Sequence, residues 1–216
     1  MGKQITQPVE FNKVNPKSKN QANFIKSIHD NDITICNGPA GSGKSLLAIS
    51  TACDYLLQGK IDKILISRTI VAAGHDLGAF KGDIDEKVSP YFLAQAEYLN
   101  QILGKNYKNL LNNKIFLRPL EILRGHSYHN AIIILDEASN CDAFQIKLFI
   151  SRLGEKSKAI IIGDCKQKDV ETNGLNFCLN YLKDISNCAI CQLSYDDIFR
   201  NKNIAEILKI FDNAGI

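Results

Sequence analysis

Residues 38–45 read Gly-Pro-Ala-Gly-Ser-Gly-Lys-Ser, the pattern G-x-x-x-x-G-K-S, and nothing else in the chain restricts the fold as much. The run before it, 33–36, is apolar, and Leu46, Leu47, Ala48 and Ile49 continue after it as a helix would. Strand, glycine-rich loop, helix is the context in which this pattern cradles phosphates. Backbone N–H groups must approach a polyphosphate closely, and side chains would block that approach. Gly38, Gly41 and Gly43 remove the obstruction and permit unusual φ/ψ values. The following helix adds partial positive charge at its N-terminus. Lys44 is expected to reach the β- and γ-phosphates, and the Ser45 hydroxyl to ligate Mg²⁺. The expected ATP cradle is thus Gly38, Pro39, Ala40, Gly41, Ser42, Gly43, Lys44 and Ser45.

A phosphate loop needs a sheet to carry it. Short apolar runs at 33–36, 63–67, 114–117, 131–135, 159–162 and 189–193 predict strands. Helix-like stretches at 18–30, 44–58, 83–103, 142–153, 174–183 and 202–212 alternate with them. Runs such as Ile132-Ile133-Ile134-Leu135 and Ile160-Ile161-Ile162 are apolar on both faces. Such strands are covered by helices on both sides, and the alternation predicts βαβ units. The expected fold is α/β: a three-layer parallel sheet of the P-loop NTPase kind. Ligands in such sheets sit at the carboxyl ends of the strands.

Two more strand ends carry polar residues. The run 131–135 ends in Asp136-Glu137. Asp136 is expected to hold Mg²⁺, and Glu137 to polarise the attacking water as a general base. An adjacent Asp-Glu suits attack by water. A small-molecule kinase would need an acceptor pocket and an arginine-rich lid, and no such cluster is visible. The run 159–162 is followed by Gly163-Asp164, with Gln167 three residues later. A Gln just past a buried strand can touch the γ-phosphate and report its loss; the alternative is an ordinary loop residue.

Composition sets the remaining bounds. The chain has 216 residues, net charge +3 and seven cysteines. Its size fits one domain with a full core, divided here into a flexible basic arm, 1–15, and a single core, 16–216. The odd cysteine count argues against a secreted disulfide framework. Cys188 and Cys191 form a C-x-x-C without a second pair, so buried strand residues are expected rather than metal ligands. No run approaches the ~20 apolar residues of a membrane span. A reduced, cytoplasmic protein is expected.

With these motifs placed, the chain resembles the PhoH family of ATPases, whose core is related to superfamily 1 helicases; the fold implied is a RecA-like helicase core. The resemblance runs from about Pro16 to Asp212. Lys19-Asn20-Gln21 resembles the segment that contacts adenine, which implies Gln21 as the base reader. Ser67-Arg68-Thr69 with Gly74, Leu77-Gly78, Gly82-Asp83, Lys87 and Pro90-Tyr91 resembles a long family signature. Arg124-Gly125 matches another short element, and Asp136-Glu137-Ala138 the acidic motif. Gly163-Asp164 with Gln167 resembles the motif that senses the terminal phosphate, and Asp197-Ile198-Phe199-Arg200 a late motif carrying an arginine. The chain departs from the pattern at Ser139, where the family usually has Gln.

The resemblance implies ATP hydrolysis with Lys44, Glu137, Gln167 and Arg200 as the catalytic set. It also implies RNA or single-stranded DNA as partner, with Arg68, Lys81, Lys87 and Arg124 as candidate contacts. A two-core helicase closes its ATP site with a second sheet, and this chain has length for one core. The expectation is therefore a homo-oligomeric ring, hexameric by resemblance, in which Arg200 enters a neighbour's site. Arg68 is the alternative finger. Two other readings stand beside this one: a nucleotide-switched interaction protein with slow hydrolysis, and a P-loop transferase.

Overall fold

The computed structural model describes residues 10–70, 89–123, 125–166, 174–200 and 202–214. Six strands form one sheet: β1 (Ile33–Asn37), β2 (Lys63–Arg68), β3 (Ile115–Pro119), β4 (Ala131–Leu135), β5 (Lys158–Gly163) and β6 (Cys188–Gln192). Their spatial order is β3-β2-β4-β5-β1-β6, and every pairing is parallel. All six expected strands are present, with ends displaced by no more than two residues.

The helices are α1 (Lys19–Asp30), α2 (Lys44–Leu57), α3 (Leu93–Leu103), the single turn α4 (Tyr107–Leu110), α5 (Ala143–Ile150), α6 (Gly174–Tyr181) and α7 (Lys202–Asn213). Local chemistry sets their starts. The Ser18 side chain accepts the Gln21 N–H at the head of α1. Asp142 and Gln145 form a reciprocal capping box at α5. The helix expected over 83–103 begins only at Leu93, after a 3₁₀ turn at Ser89–Phe92. Pro90 lies within that turn, where the missing N–H of proline costs nothing. Residues 83–88 of that stretch lie outside the described residues.

Each central strand feeds two cores. Ile64, Ile66, Ile132, Ile134, Ile160 and Ile162 pack with Phe24, Ile28, Leu47, Leu99 and Ile102 on the side of α1, α2 and α3. Leu65, Ile133, Leu135 and Ile161 pack with Ile146, Phe149, Leu175 and Cys178 on the side of α5 and α6. The runs look uniform in sequence because both faces are buried, yet alternate residues serve different layers. Of the N-terminal segment, residues 10–15 are docked: the Asn12 N–H donates to the Ile102 carbonyl at 2.8 Å, and Phe11 and Val14 lie against the core. Lys13 pairs with Asp54 at 3.0 Å.

Five of the seven cysteines, Cys36, Cys53, Cys141, Cys178 and Cys191, are buried, and Cys165 and Cys188 are half-buried. Burial pushes the Cys53 and Cys141 thiols up to about 12 and Cys178 up to about 11. Burial pushes Cys36 further still. The thiolate is the reactive form, so these four should resist alkylation in the native chain at neutral pH. Cys165 and Cys188, both half-buried, should be alkylated before them. Mass-mapped iodoacetamide labelling tests this. Native labelling of Cys53 at its rate in denaturant would refute the packing described.

Candidate functional site: the cleft at the strand carboxyl ends

The loop after β1 lies where the sheet's strand ends meet. Asn37, the last residue of β1, donates from Nδ2 to Gln192 Oε1 on β6 at 2.9 Å. Its Oδ1 accepts the Cys165 N–H from beyond β5, also at 2.9 Å. One side chain thus ties the exits of β5, β1 and β6 together. The Gly38 N–H then donates to the Gly163 carbonyl at 3.1 Å. A Cβ on Gly38 would meet Leu193 Cβ at 2.7 Å, so the chain there has room for glycine alone. Gly43 sits at φ 90°, in the left-handed region, and heads α2 without a side-chain cap. No acid occupies the first turn of α2, so its opening N–H groups remain available to an anion.

The loop residues divide by task. Ser42 is fully buried, and its hydroxyl donates to the Pro39 carbonyl at 2.7 Å, so it shapes the loop. Ala40, Gly41, Gly43, Lys44 and Ser45 line a cleft of about 940 Å³. Lys44 Nζ folds back on the Gly38 and Pro39 carbonyls at 2.6 and 2.9 Å. Burial lowers its pKa from the usual lysine value, while the nearby acids, Asp164, Asp136 and Glu137 among them, oppose that shift. A polyphosphate would offer this ammonium a better partner than two carbonyls.

Asp136 follows β4, which β5 alone separates from β1. It is 5% exposed, and its Oδ1 accepts the Ser45 hydroxyl at 2.9 Å. The loop and the acidic motif, 91 residues apart in sequence, are therefore in contact. A hydroxyl and a carboxylate oxygen are hard donors that suit Mg²⁺. Among the described residues there is no group of three or more His, Cys, Asp or Glu able to hold a metal.

Glu137 adopts φ 54° and ψ 43°. A residue other than glycine in the left-handed region carries strain on the order of 1–3 kcal/mol, and such strain clusters at functional sites. Arg68, at the end of β2, holds the strained residue: its Nη2 meets Glu137 Oε2 at 2.9 Å, and its Nη1 donates to the Tyr91 carbonyl at 3.1 Å. Arg68 is thus a partner of the acid within its own chain.

Gln21 is 5% exposed. Its Nε2 donates to the Ser42 carbonyl at 2.9 Å and the Asp197 carbonyl at 3.2 Å, and its Oε1 accepts the Lys17 N–H at 2.7 Å. It braces the phosphate loop against α1. Asp197 accepts from Asn20 at 3.1 Å and from the Ser194 N–H at 2.6 Å. Burial works against its charge, but these hydrogen bonds and one from Ser18 hold its carboxyl below the ordinary aspartate value. With Ile198 also buried, the turn displays Phe199 and Arg200 on the cleft wall. Arg200 lines the cleft wall, on a turn that Asp197 ties to α1. Leu208, Phe211 and Asp212 of α7 line the cleft as well. Asp164 lies at the end of β5, and burial raises its pKa. Gln167, Lys81, Lys87 and Arg124 lie outside the described residues.

Sequence reading missed Asn37, and it missed Gln95. Gln95 is 1% exposed on α3 and donates from Nε2 to Asp136 Oδ2 at 2.7 Å. A lone glutamine in a helix carries no pattern that would mark it.

A family model described as "PhoH-like protein" matches residues 13–212. The PhoH-like protein of Bacillus subtilis (strain 168) is 34% identical over 217 residues, covering 98% of this chain and 68% of that protein. Protein PhoH of Escherichia coli (strain K12) is 31% identical over 192 residues, covering 86% of this chain and 54% of its own length. Among solved structures, the large terminase of a thermophilic bacteriophage matches with TM-score 0.59 at 12% identity, over 90% of this chain and 50% of that one. It has also been solved in complex with ADP. The helicase domain of Pyrococcus furiosus Hef matches with TM-score 0.51 at 16% identity, over 82% and 38%. These structures share the fold, a P-loop NTPase core of the helicase and terminase kind, and the chain spans half or less of each.

Proposed function

Because the chain belongs to the PhoH-like protein family, we propose that it hydrolyses ATP with magnesium and couples hydrolysis to binding or remodelling RNA or single-stranded DNA, in a cytoplasmic ring oligomer. The main support is the 2.9 Å contact between Ser45 and Asp136, which joins phosphate cradle and acid in one site. The ADP complex of the similarly folded phage terminase supports the nucleotide.

In this reading the loop amides from Gly38 to Ser45 grip the phosphates, and Lys44 leaves the Gly38 and Pro39 carbonyls for the β- and γ-phosphates. Ser45 and Asp136 would hold Mg²⁺, which when bound neutralises charge on the β- and γ-oxygens. Glu137 takes a proton from water as its oxygen attacks the γ-phosphorus; the bond to the β–γ bridging oxygen breaks, leaving ADP and phosphate. Arg68 aims the Glu137 carboxylate. Arg200, on the cleft wall, stabilises the transferring phosphoryl in a neighbouring subunit's site, a contribution worth about 10³–10⁵ in rate for a finger arginine. Gln167 senses the γ-phosphate. Gln21 fixes the loop, and the second lone pair of its Oε1 accepts from the amino group of adenine. The ring, hexameric by family resemblance, would supply the cover that a second core gives a two-core helicase.

A nucleotide-driven switch is the second reading, and α7 favours it. Ile204, Ile207 and Ile210 are exposed on it, and Leu208 and Phe211 of the same helix line the cleft. A partner docked there would feel the nucleotide. Phosphate release by the purified chain, measured with RNA, single-stranded DNA and duplex DNA, separates the two. Magnesium-dependent turnover that single strands stimulate several-fold is the expected result. Turnover indifferent to all three nucleic acids would replace the motor with the switch.

A further inference from the structure

We infer that Gln95 is a positioning residue for Asp136, reaching the candidate magnesium site from α3, outside both sequence motifs. The inference rests on the functional reading above and adds to it a residue on a different element. The Gln95 amide holds Asp136 Oδ2 at 2.7 Å. The other oxygen, Oδ1, accepts the Ser45 hydroxyl at 2.9 Å and the Glu137 N–H at 3.0 Å. Three separate pieces of the fold therefore fix one carboxylate: α2, the chain just after β4, and α3. An ionised carboxylate only accepts, so the amide must present its N–H₂ group, and the orientation of Gln95 follows.

The setting of Gln95 argues the same way. Further along α3, Leu99, Ile102 and Leu103 are fully buried, and an apolar side chain at position 95 would pack as they do. Gln95 instead buries an amide whose Oε1 has no hydrogen-bond partner among the described residues. A half-satisfied buried amide is unfavourable and calls for a compensating reason. Contact with Asp136 supplies it. With Oδ2 anchored, the carboxylate is held against rotation, and Oδ1 stays beside the Ser45 hydroxyl, so that the two oxygens could hold a cation jointly. Partners one step removed from a metal act in this way, by setting the direction of the ligand.

The test uses the full chain and N-methylanthraniloyl-ADP, titrated across a magnesium series and in EDTA. Gln95→Met keeps the shape and removes the amide; Gln95→Glu keeps the shape and sets a second carboxylate against Asp136. In EDTA both variants should bind the probe as the parent does. The magnesium concentration for half-maximal enhancement should rise about ten- to a hundredfold in Gln95→Met, and further in Gln95→Glu. Parent-like magnesium midpoints in both folded variants would overturn the inference. So would equal weakening with and without magnesium, which marks a merely structural role. A parent chain that binds no probe under either condition would instead overturn the functional reading, and this inference with it.

Discussion

Replacing Glu137 with Gln should leave ATP bound and reduce its hydrolysis by about 10²–10⁴, the usual contribution of a positioned general base. The two side chains have the same shape, so the loop and the Ser45–Asp136 contact at 2.9 Å should survive. Gln can still accept from Arg68, which now meets the Glu137 Oε2 at 2.9 Å, and this should preserve the left-handed backbone at φ 54°. The amide cannot take a proton from water. Phosphate release and fluorescent-nucleotide affinity, measured on the same preparation, separate the two effects. Turnover within a few-fold of the parent would remove Glu137 from the chemistry. Lost affinity would show that it acts on the ground state instead.

Replacing Lys44 with Ala should act earlier, on binding itself. Charge-assisted hydrogen bonds are worth about 1.5–3 kcal/mol, so nucleotide affinity should fall about ten- to a hundredfold, and turnover at least as far. The pH dependence follows from the cause of the shift. Burial lowers the Lys44 pKa in the nucleotide-free chain. The charged form grips phosphate, so affinity is complete below that lowered pKa and declines as pH climbs through it. Lys44→Arg should abolish the alkaline decline, since guanidinium stays charged. Lys44→Ala should lack it because the charge is already gone. Isothermal titration across pH measures all three. A parent affinity that stays flat well into the alkaline range would mean that the ammonium does not face the phosphates.

These two residues were legible before any fold was known, and the reason is local. Each lies in a short segment whose pattern states its own context: a strand, then glycines and Lys44, then a helix; a strand, then Asp136 and Glu137. The six strands were legible for the same reason. Burial on both faces leaves an unmistakable apolar run, as at Ile132, Ile133 and Ile134. The start of α3 was misplaced because helical periodicity can continue across Pro90, although a 3₁₀ turn precedes the helix there.

The partners of those residues were decided by tertiary structure. Gln95 meets Asp136 across 41 positions, Arg68 meets Glu137 across 69, and Asn37 meets Gln192 across 155. Family resemblance marked Gln21 and Arg200; tertiary structure adds that Gln21 braces the loop from α1 and that Arg200 stands on the cleft wall after the turn at Tyr195–Asp197. Sequence alone marked the glycine-rich loop, the acidic pair and the parallel sheet, because hydrophobic period and glycine spacing are properties of neighbouring residues. Which side chains hold the acids in place emerged only when the β3-β2-β4-β5-β1-β6 order brought distant strand ends together. A single hydrogen bond between remote residues leaves no periodic trace in the chain.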